Sequence, residues 1–145
     1  DVLKGIVACL IGLRLGVVVA SGTTVESVSL LAAGAGAVLG HNWPVYFGFK
    51  GGKGALTAVA VLFMADWTLA LLCLGLFVAI VASTRYVSLG TICATGFCFV
   101  LSFLPVFGKT PYFQIFALLM ALTIIVKHRA NIQRLLAGTE NKLSF

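Results

Sequence analysis

Long apolar runs separated by short polar segments dominate this chain and restrict what it can fold into. The first run, residues 2–20, is apolar except for Lys4 and Arg14, close to the ~20 residues that a helix needs to cross ~30 Å of hydrocarbon. Charged residues make up 10% of the chain, against about a quarter in soluble domains. The pattern predicts an all-α, polytopic membrane helix bundle that forms a single domain over residues 1–145.

The later runs can be divided into helices by their breaks. Thr23 and Glu26 fit a capping box, so a second helix is expected to start there. The run from Ala55 to Ser83 would be roughly 44 Å long as one helix, which exceeds the hydrocarbon thickness. It is broken by Asp66 and Trp67, where two helices joined by a tight turn are expected. The sequence therefore predicts six spans, and these cover residues 2–20, 23–40, 55–65, 68–83, 89–107 and 112–126.

The ends of the last two spans carry their own signals. Thr110 suits a helix N-cap, and Pro111 suits the first helical position. The tail from Lys127 is expected to continue the last helix into water and to stop at Gly138.

The distribution of charge predicts the orientation of this bundle. With six spans, both ends of the chain lie on one face, and the basic residues collected there are Lys4, Lys50, Lys53, Arg85, Lys127, Arg129, Arg134 and Lys142. Lys109 is the basic residue expected on the opposite face. The positive-inside rule makes the crowded face cytoplasmic. Arg14 lies within a span, where it either has a function or extends its side chain towards the surface.

The segment Gly40 to Gly54, GHNWPVYFGFKGGKG, is a candidate anion site between two spans. Glycines let the backbone approach a ligand closely, successive N–H groups can form a concave nest, and a lysine ammonium adds positive charge. The spacing differs from that of a nucleotide-binding P-loop. The alternative is that Lys50 and Lys53 are ordinary positive flanks and that the glycines merely turn the chain.

Further polar candidates lie on the same predicted face. His128 and Asn131 are three residues apart and share one side of a helix, where histidine can exchange a proton and asparagine can hold a polar group. Arg85 and Ser88 occupy a short loop and could bind phosphate, although such a pair is equally typical of an interfacial turn. Together with His41, this set fits a phosphorylated substrate that meets a lipid tail.

Other functional classes lack support in the sequence. Two histidines without a well-placed carboxylate make a metal site improbable, and no cofactor is expected. The four cysteines fall within apolar runs without C-x-x-C spacing. No segment outside the apolar runs combines stacking aromatics with basic residues, so nucleic-acid binding is not expected.

Three motifs resemble those of a known family. They are GHNWP followed by FKGGKG at Gly40 to Gly54, RYVSLG at Arg85 to Gly90, and KHRANIQRLLAGTENK at Lys127 to Lys142. The opening DVLKG also resembles the D-x-LKG of that family. The chain is thus similar to the bacterial integral-membrane glycerol-3-phosphate acyltransferases that use acyl phosphate, the PlsY family.

The resemblance implies an activity and a location. An acyl group passes from fatty acyl phosphate to the 1-hydroxyl of glycerol 3-phosphate, which gives 1-acylglycerol 3-phosphate and inorganic phosphate in the first acylation of phospholipid synthesis. The enzyme is expected in the bacterial inner membrane with its site facing the cytoplasm. Family members have a seventh helix at the front and a Ser/Gly/Asn-rich motif ending in arginine, so an N-terminally truncated domain is expected here. A small anion or phosphate-ester transporter is the alternative, suggested by Arg14 and the glycine-broken spans.

The resemblance also implies roles for individual residues. Lys53, with the backbone of Gly51 and Gly52, would hold phosphate, and Ser88 would hydrogen-bond substrate. His128 and Asn131 would orient glycerol 3-phosphate, with His128 as general base in a rival mechanism in which it replaces a substrate phosphate as proton acceptor. The remaining expected substrate-binding residues are His41, Lys50, Gly54 and Arg85.

Overall fold

The computed structural model describes residues 1–19 and 22–144, and all the regular secondary structure in that part of the chain is helical. The helices are α1 (Val2–Val19), α2 (Thr23–Asn42), α3 (Ala55–Ala65), α4 (Trp67–Thr84), α5 (Val87–Leu101), α6 (Pro111–Lys127) and α7 (Arg129–Leu136). Short 3-10 turns cover Val45–Phe47 and Pro105–Phe107. The prediction of an all-α fold is confirmed. The predicted end of the first span at Ala20 lies outside the described residues, as does the side chain of Thr23. Helix α2 begins at Thr23 as predicted, but its N-cap is Gly22, so the prediction of Thr23 as the capping residue is wrong.

Small residues allow α1, α2 and α3 to pack closely. A Cβ on Gly12 of α1 would stand 2.7 Å from the Cβ of Ala33, and one on Gly16 would stand 3.0 Å from the Cα of Glu26. These pairings run in opposite directions along α1 and α2, so the two helices are antiparallel. Gly34 of α2 lies directly against the side chain of Val61 in α3.

The break predicted at Asp66 is present and is capped. The Asp66 side chain accepts a hydrogen bond from the backbone N–H of Leu69 at 2.9 Å, which starts α4. It also pairs with the ammonium of Lys109 in the turn between α5 and α6. The α3–α4 and α5–α6 turns therefore lie at the same end of the bundle.

The predicted start of α6 is also confirmed. The Thr110 hydroxyl accepts a hydrogen bond from the N–H of Phe113 at 3.4 Å, and Pro111 is the first helical residue. Residues of α6 then form much of the core, where Phe113, Phe116, Met120 and Ile124 are buried.

The lengths of the helices distinguish clear membrane spans from shorter ones. The 18-residue helices α1 and α4 are each long and apolar enough to cross a bilayer, and α6 with α7 passes the same test as a bent pair. The apolar helices α3 and α5 have 11 and 15 residues. Helix α5 ends at Leu101, before the predicted Phe107, because a 3-10 turn follows. The count of six spans stays a prediction.

The structure corrects the expectation that the last helix runs straight to Gly138. The chain bends by 61° between α6 and α7. His128 stands at the bend, and both its backbone N–H and its imidazole Nδ1 bond to the carbonyl of Ile124, at 2.9 Å and 2.8 Å. The Ile124 carbonyl therefore accepts two hydrogen bonds at the point where α6 ends. Helix α7 then runs in a new direction, and its Asn131 is buried against the bundle.

Candidate active site

The glycine-rich segment is packed on the C-terminal end of α2. Helix α2 continues through His41 and Asn42, so these residues are helical and the loop begins only afterwards. The N–H of Gly52 donates to the carbonyl of His41 at 3.2 Å, and Gly51 lies so close to His41 and Pro44 that a Cβ would clash with them. The loop is therefore held on one side by α2, while its other side is exposed.

The loop delivers the chain into the N-terminus of α3. Gly54 is the N-cap, with φ of 71° in the left-handed region that favours glycine, and no side chain caps the helix. The N-cap thus supplies no side-chain acceptor for the first N–H groups of α3, and helix N-termini of this kind commonly bind anions. Lys50 and Lys53 are exposed beside them. Such donors and charges are of the kind that an anion site requires, and the anion site itself stays a prediction.

Two side chains lie beneath the loop. The Nδ1 of His41 is 3.2 Å from a carboxylate oxygen of Asp1, and its Nε2 faces the Cα of Gly52. This position makes His41 a support for the loop. The carboxamide of Asn42 is fully buried against Gly54, and neither of its polar atoms has a hydrogen-bond partner among the residues described. Water or a ligand commonly satisfies such a group.

His128 is buried with a defined tautomer. Because the carbonyl of Ile124 can only accept, the Nδ1 that lies 2.8 Å from it carries the proton and Nε2 presents a lone pair. Burial, together with the nearby charge of Lys53, holds the pKa of His128 below its ordinary 6.5, although the Ile124 carbonyl and Glu140 act in the opposite direction. The imidazole is therefore neutral at pH 7 and able to accept a proton.

Ser88 and Asn131 both contact Glu140, a residue for which the sequence predicted no role. One Glu140 oxygen accepts from the Ser88 hydroxyl at 2.7 Å and from the Asn131 amide at 2.6 Å. The other accepts from the Nε of Arg134 at 2.7 Å. These bonds from Asn131 and Ser88, with help from Arg134, lower the pKa of Glu140 to about 2.

Glu140 therefore holds Ser88 and Asn131 in place, and the Ser88 hydroxyl proton is committed to it. The sequence signal that could have revealed Glu140 is that it is an acidic residue among basic ones. The chain has four acidic residues, and Glu140 is the one that falls in a strongly basic tail.

Arg85 is where the tail returns to the bundle. It ends α4 with φ of 64°, and its carbonyl accepts from the N–H of Leu143 at 2.9 Å. The Lys142 ammonium lies 5.3 Å from the centroid of the Tyr86 ring. The tail thus crosses the α4–α5 turn and covers one side of the polar cluster. The side chain of Arg85 is exposed.

An apolar groove of about 390 Å³ opens next to this polar cluster. It runs between α3, α4, α5 and α6, and its lining includes Ala55, Val87 and Ile124. These residues adjoin Gly54, Ser88 and the imidazole of His128 respectively, so the groove begins where the polar site ends. Arg14 is not part of the lining and lies on the exposed face of α1.

Comparison with known proteins shows the family of this chain. A family model described as glycerol-3-phosphate acyltransferase matches residues 1–138. The chain belongs to the glycerol-3-phosphate acyltransferase family. A relative from Thermoanaerobacter sp. (strain X514) is 41% identical over 143 residues, which are 99% of this chain and 67% of that protein. A relative from Clostridioides difficile is 40% identical over 147 residues, with the same coverage of 99% and 67%. Both carry the family name.

The family is also represented among solved structures. The glycerol 3-phosphate form of PlsY (YgiH), an integral membrane glycerol 3-phosphate acyltransferase, superposes with a TM-score of 0.86 at 38% identity and covers 99% of this chain and 68% of that one. Its lysophosphatidic acid form gives a TM-score of 0.85 at 38% identity, over 99% and 69% of the two chains. The chain thus spans about two thirds of the length of these family members and shares their helical membrane fold.

Proposed function

We propose that this chain is a bacterial membrane glycerol-3-phosphate 1-O-acyltransferase that uses acyl phosphate as donor. The observation that carries the proposal is the junction of two chemically different sites. A cluster of cationic and proton-accepting groups, which includes Lys53 and His128, opens directly onto an apolar groove. A phosphorylated headgroup and a fatty acyl chain each find a matching surface there. Family membership supports the same activity.

The proposed reaction needs no acyl-enzyme, because the donor is an activated mixed anhydride. The 1-hydroxyl of glycerol 3-phosphate attacks the acyl carbonyl carbon, the bond between that carbon and the phosphate oxygen breaks, and inorganic phosphate leaves. The hydroxyl proton passes to Nε2 of His128, which is neutral and has its lone pair available. A substrate phosphate oxygen is the rival proton acceptor.

The remaining residues bind and orient in this scheme. Lys53 and the free N–H groups at the start of α3 balance the charge of phosphate, and Gly51 and Gly52 allow its close approach. Asn131, held by Glu140, aligns glycerol 3-phosphate for attack. Ser88 contributes through its bond to Glu140 and can still accept a hydrogen bond from substrate. The groove takes the acyl chain.

The proposed setting is the bacterial inner membrane, with six spans and the site on the cytoplasmic side. The loop after α2, the α4–α5 turn and the tail share one end of the bundle, and they carry most of the basic residues. The opposite end contains the Asp66–Lys109 pair. This charge asymmetry supports the orientation.

Acyl transfer can be tested directly with the purified chain in phospholipid vesicles. Labelled glycerol 3-phosphate and palmitoyl phosphate should give an extractable labelled lipid, with the longer Thermoanaerobacter relative as positive control. Accumulation of label inside sealed vesicles without lipid product would instead indicate a transporter. A lack of product with this chain, when the relative is active, would refute acyl transfer by residues 1–145.

A further inference from the structure

Lys127, the last residue of α6, is fixed by the end of another helix. Its ammonium donates to the backbone carbonyl of Asn42 at 2.6 Å and lies 5.0 Å from the centroid of the Trp43 ring. Both partners belong to the C-terminal end of α2. The side chain is half-buried, which limits the screening of its charge by water.

The physical chemistry of this contact favours a cation. The last carbonyls of a helix lack intrahelical partners and carry the negative end of the helix dipole. The face of an indole ring is also negative and attracts a cation. An apolar side chain at position 127 would lose both interactions and leave the Asn42 carbonyl without its donor.

The same turn of α2 also supports the glycine-rich loop, through the bond from Gly52 N–H to the His41 carbonyl. Lys127 directly precedes His128, which stands at the 61° bend. One short piece of α2 is therefore attached both to the loop that would bind phosphate and to the residue that precedes the proposed base.

We propose that Lys127 is a positioning residue, which fixes His128 relative to the glycine-rich loop by holding the end of α6 on the end of α2. This inference rests on the proposed acyltransferase function. Lys127 acts through His128 and does not itself contact the reacting atoms. Because small misplacements of reacting groups are costly, its loss should affect the rate of the chemical step more than the folding of the bundle.

The test compares Lys127→Met with Lys127→Arg in phospholipid vesicles. Lys127→Met should lower kcat by about tenfold to a hundredfold, with a smaller change in KM for either substrate. Lys127→Arg, which can still donate to the carbonyl and stack on Trp43, should stay within about threefold of the unaltered chain. Arg129→Met, an exposed cation on the other side of His128, is the matched control and should stay within about twofold.

A double-mutant cycle adds a readout that a general loss of stability would not produce. Trp43→Leu should lower kcat on its own, and its effect should largely vanish when Lys127 is already Met, because both act on one contact. Unchanged kcat in Lys127→Met, equal losses in Arg129→Met, or additive effects in the cycle would each overturn the proposal. If Lys127→Met fails to fold, the proposal would be overturned by a loss of kcat in Lys127→Arg as large as the loss in Trp43→Leu. Absence of acyl product from the unaltered chain would instead count against the proposed function.

Discussion

Among the residues of the candidate site, His128 has the most clearly defined protonation state and tautomer. Its Nδ1–H is occupied by the Ile124 carbonyl, and its pKa is held below 6.5. We expect kcat to rise with pH through that lowered pKa and to be level near neutrality, because only the unprotonated Nε2 accepts a proton. In His128→Gln, kcat should fall by about 10²-fold or more and this acidic limb should disappear. A limb that survives the substitution would assign the proton to a substrate phosphate.

Lys53 is expected to contribute charge directly to the site. The Lys53 ammonium is exposed beside the start of α3, and its positive charge contributes to the lowered pKa of His128. Lys53→Ala should lower kcat/KM by about 10²-fold, since hydrogen bonds to charged groups are among the strongest in proteins. Arg129→Ala removes one exposed charge from the same end of the bundle and should change kcat/KM by less than about threefold. Equal losses in both variants would remove Lys53 from the site.

Glu140 ties the tail to the bundle in a way that depends on pH. Its pKa falls from an ordinary 4.5 to about 2 in the folded chain, so its contribution to stability is complete above pH 4.5 and is lost as the pH falls towards 2. We expect the protection factors of the amide hydrogens in residues 138–144, which are exchange rates corrected for the intrinsic effect of pH, to fall over that acidic range. In Glu140→Gln, fast exchange should already be present at pH 7, whereas Glu26→Gln should leave the tail protected. Slow exchange in Glu140→Gln would contradict the assignment.

Among the elements, the glycine-rich loop depends most on backbone conformation. Gly54 combines a φ of 71° with a Cα that lies against the buried carboxamide of Asn42. Gly54→Ala should therefore destabilise the protein by about 1 kcal/mol or more and weaken substrate binding. Gly36, in the middle of α2, has open space around it, so Gly36→Ala should be neutral or stabilising. Thermal unfolding in detergent and KM for glycerol 3-phosphate measure the two effects.

Local signals in the sequence were sufficient for several elements. The break at Asp66 and the cap at Thr110 followed from short-range chemistry, and both are present with the expected hydrogen bonds. The bend at His128 was not predictable in this way, because every residue around it is compatible with a continuous helix. At the bend, the His128 imidazole bonds to the Ile124 carbonyl and Asn131 is buried, and these packed positions are set by the fold.

The candidate site likewise has features that the sequence predicted and features that depend on tertiary contacts. The sequence predicted the residue types and the face on which they gather, since these predictions follow from motifs and charge. It did not identify Glu140, whose partner Ser88 lies 52 residues away along the chain. Nor did it show that His41 supports the loop from below, between Asp1 and Gly52. Such roles arise from tertiary contacts, which a single sequence leaves open.

At the scale of the whole molecule, helix packing supports an alternating arrangement. Gly90 of α5 lies against Phe77 and Val81 of α4, so these helices are antiparallel, as α1 and α2 are. The glycine-rich loop lies at one end of the bundle, and the Asp66–Lys109 pair lies at the other. If α1 to α6 each cross the bilayer, the exposed turns at these two ends must face opposite sides of the membrane.

Site-directed labelling of two exposed turn residues can test this topology. Tyr46, 97% exposed, follows α2, and Val106, 82% exposed, follows α5. Tyr46→Cys and Val106→Cys would be made separately in a background in which Cys9, Cys73, Cys93 and Cys98 are replaced by alanine. In intact cells, with the outer membrane permeabilised, a membrane-impermeant maleimide should label position 106 but not position 46. In inverted vesicles the pattern should reverse, because the basic end faces the cytoplasm. Labelling of both positions from one side would mean that an even number of helices crosses the membrane between them. That result would contradict the prediction that α3, α4 and α5 are three separate spans.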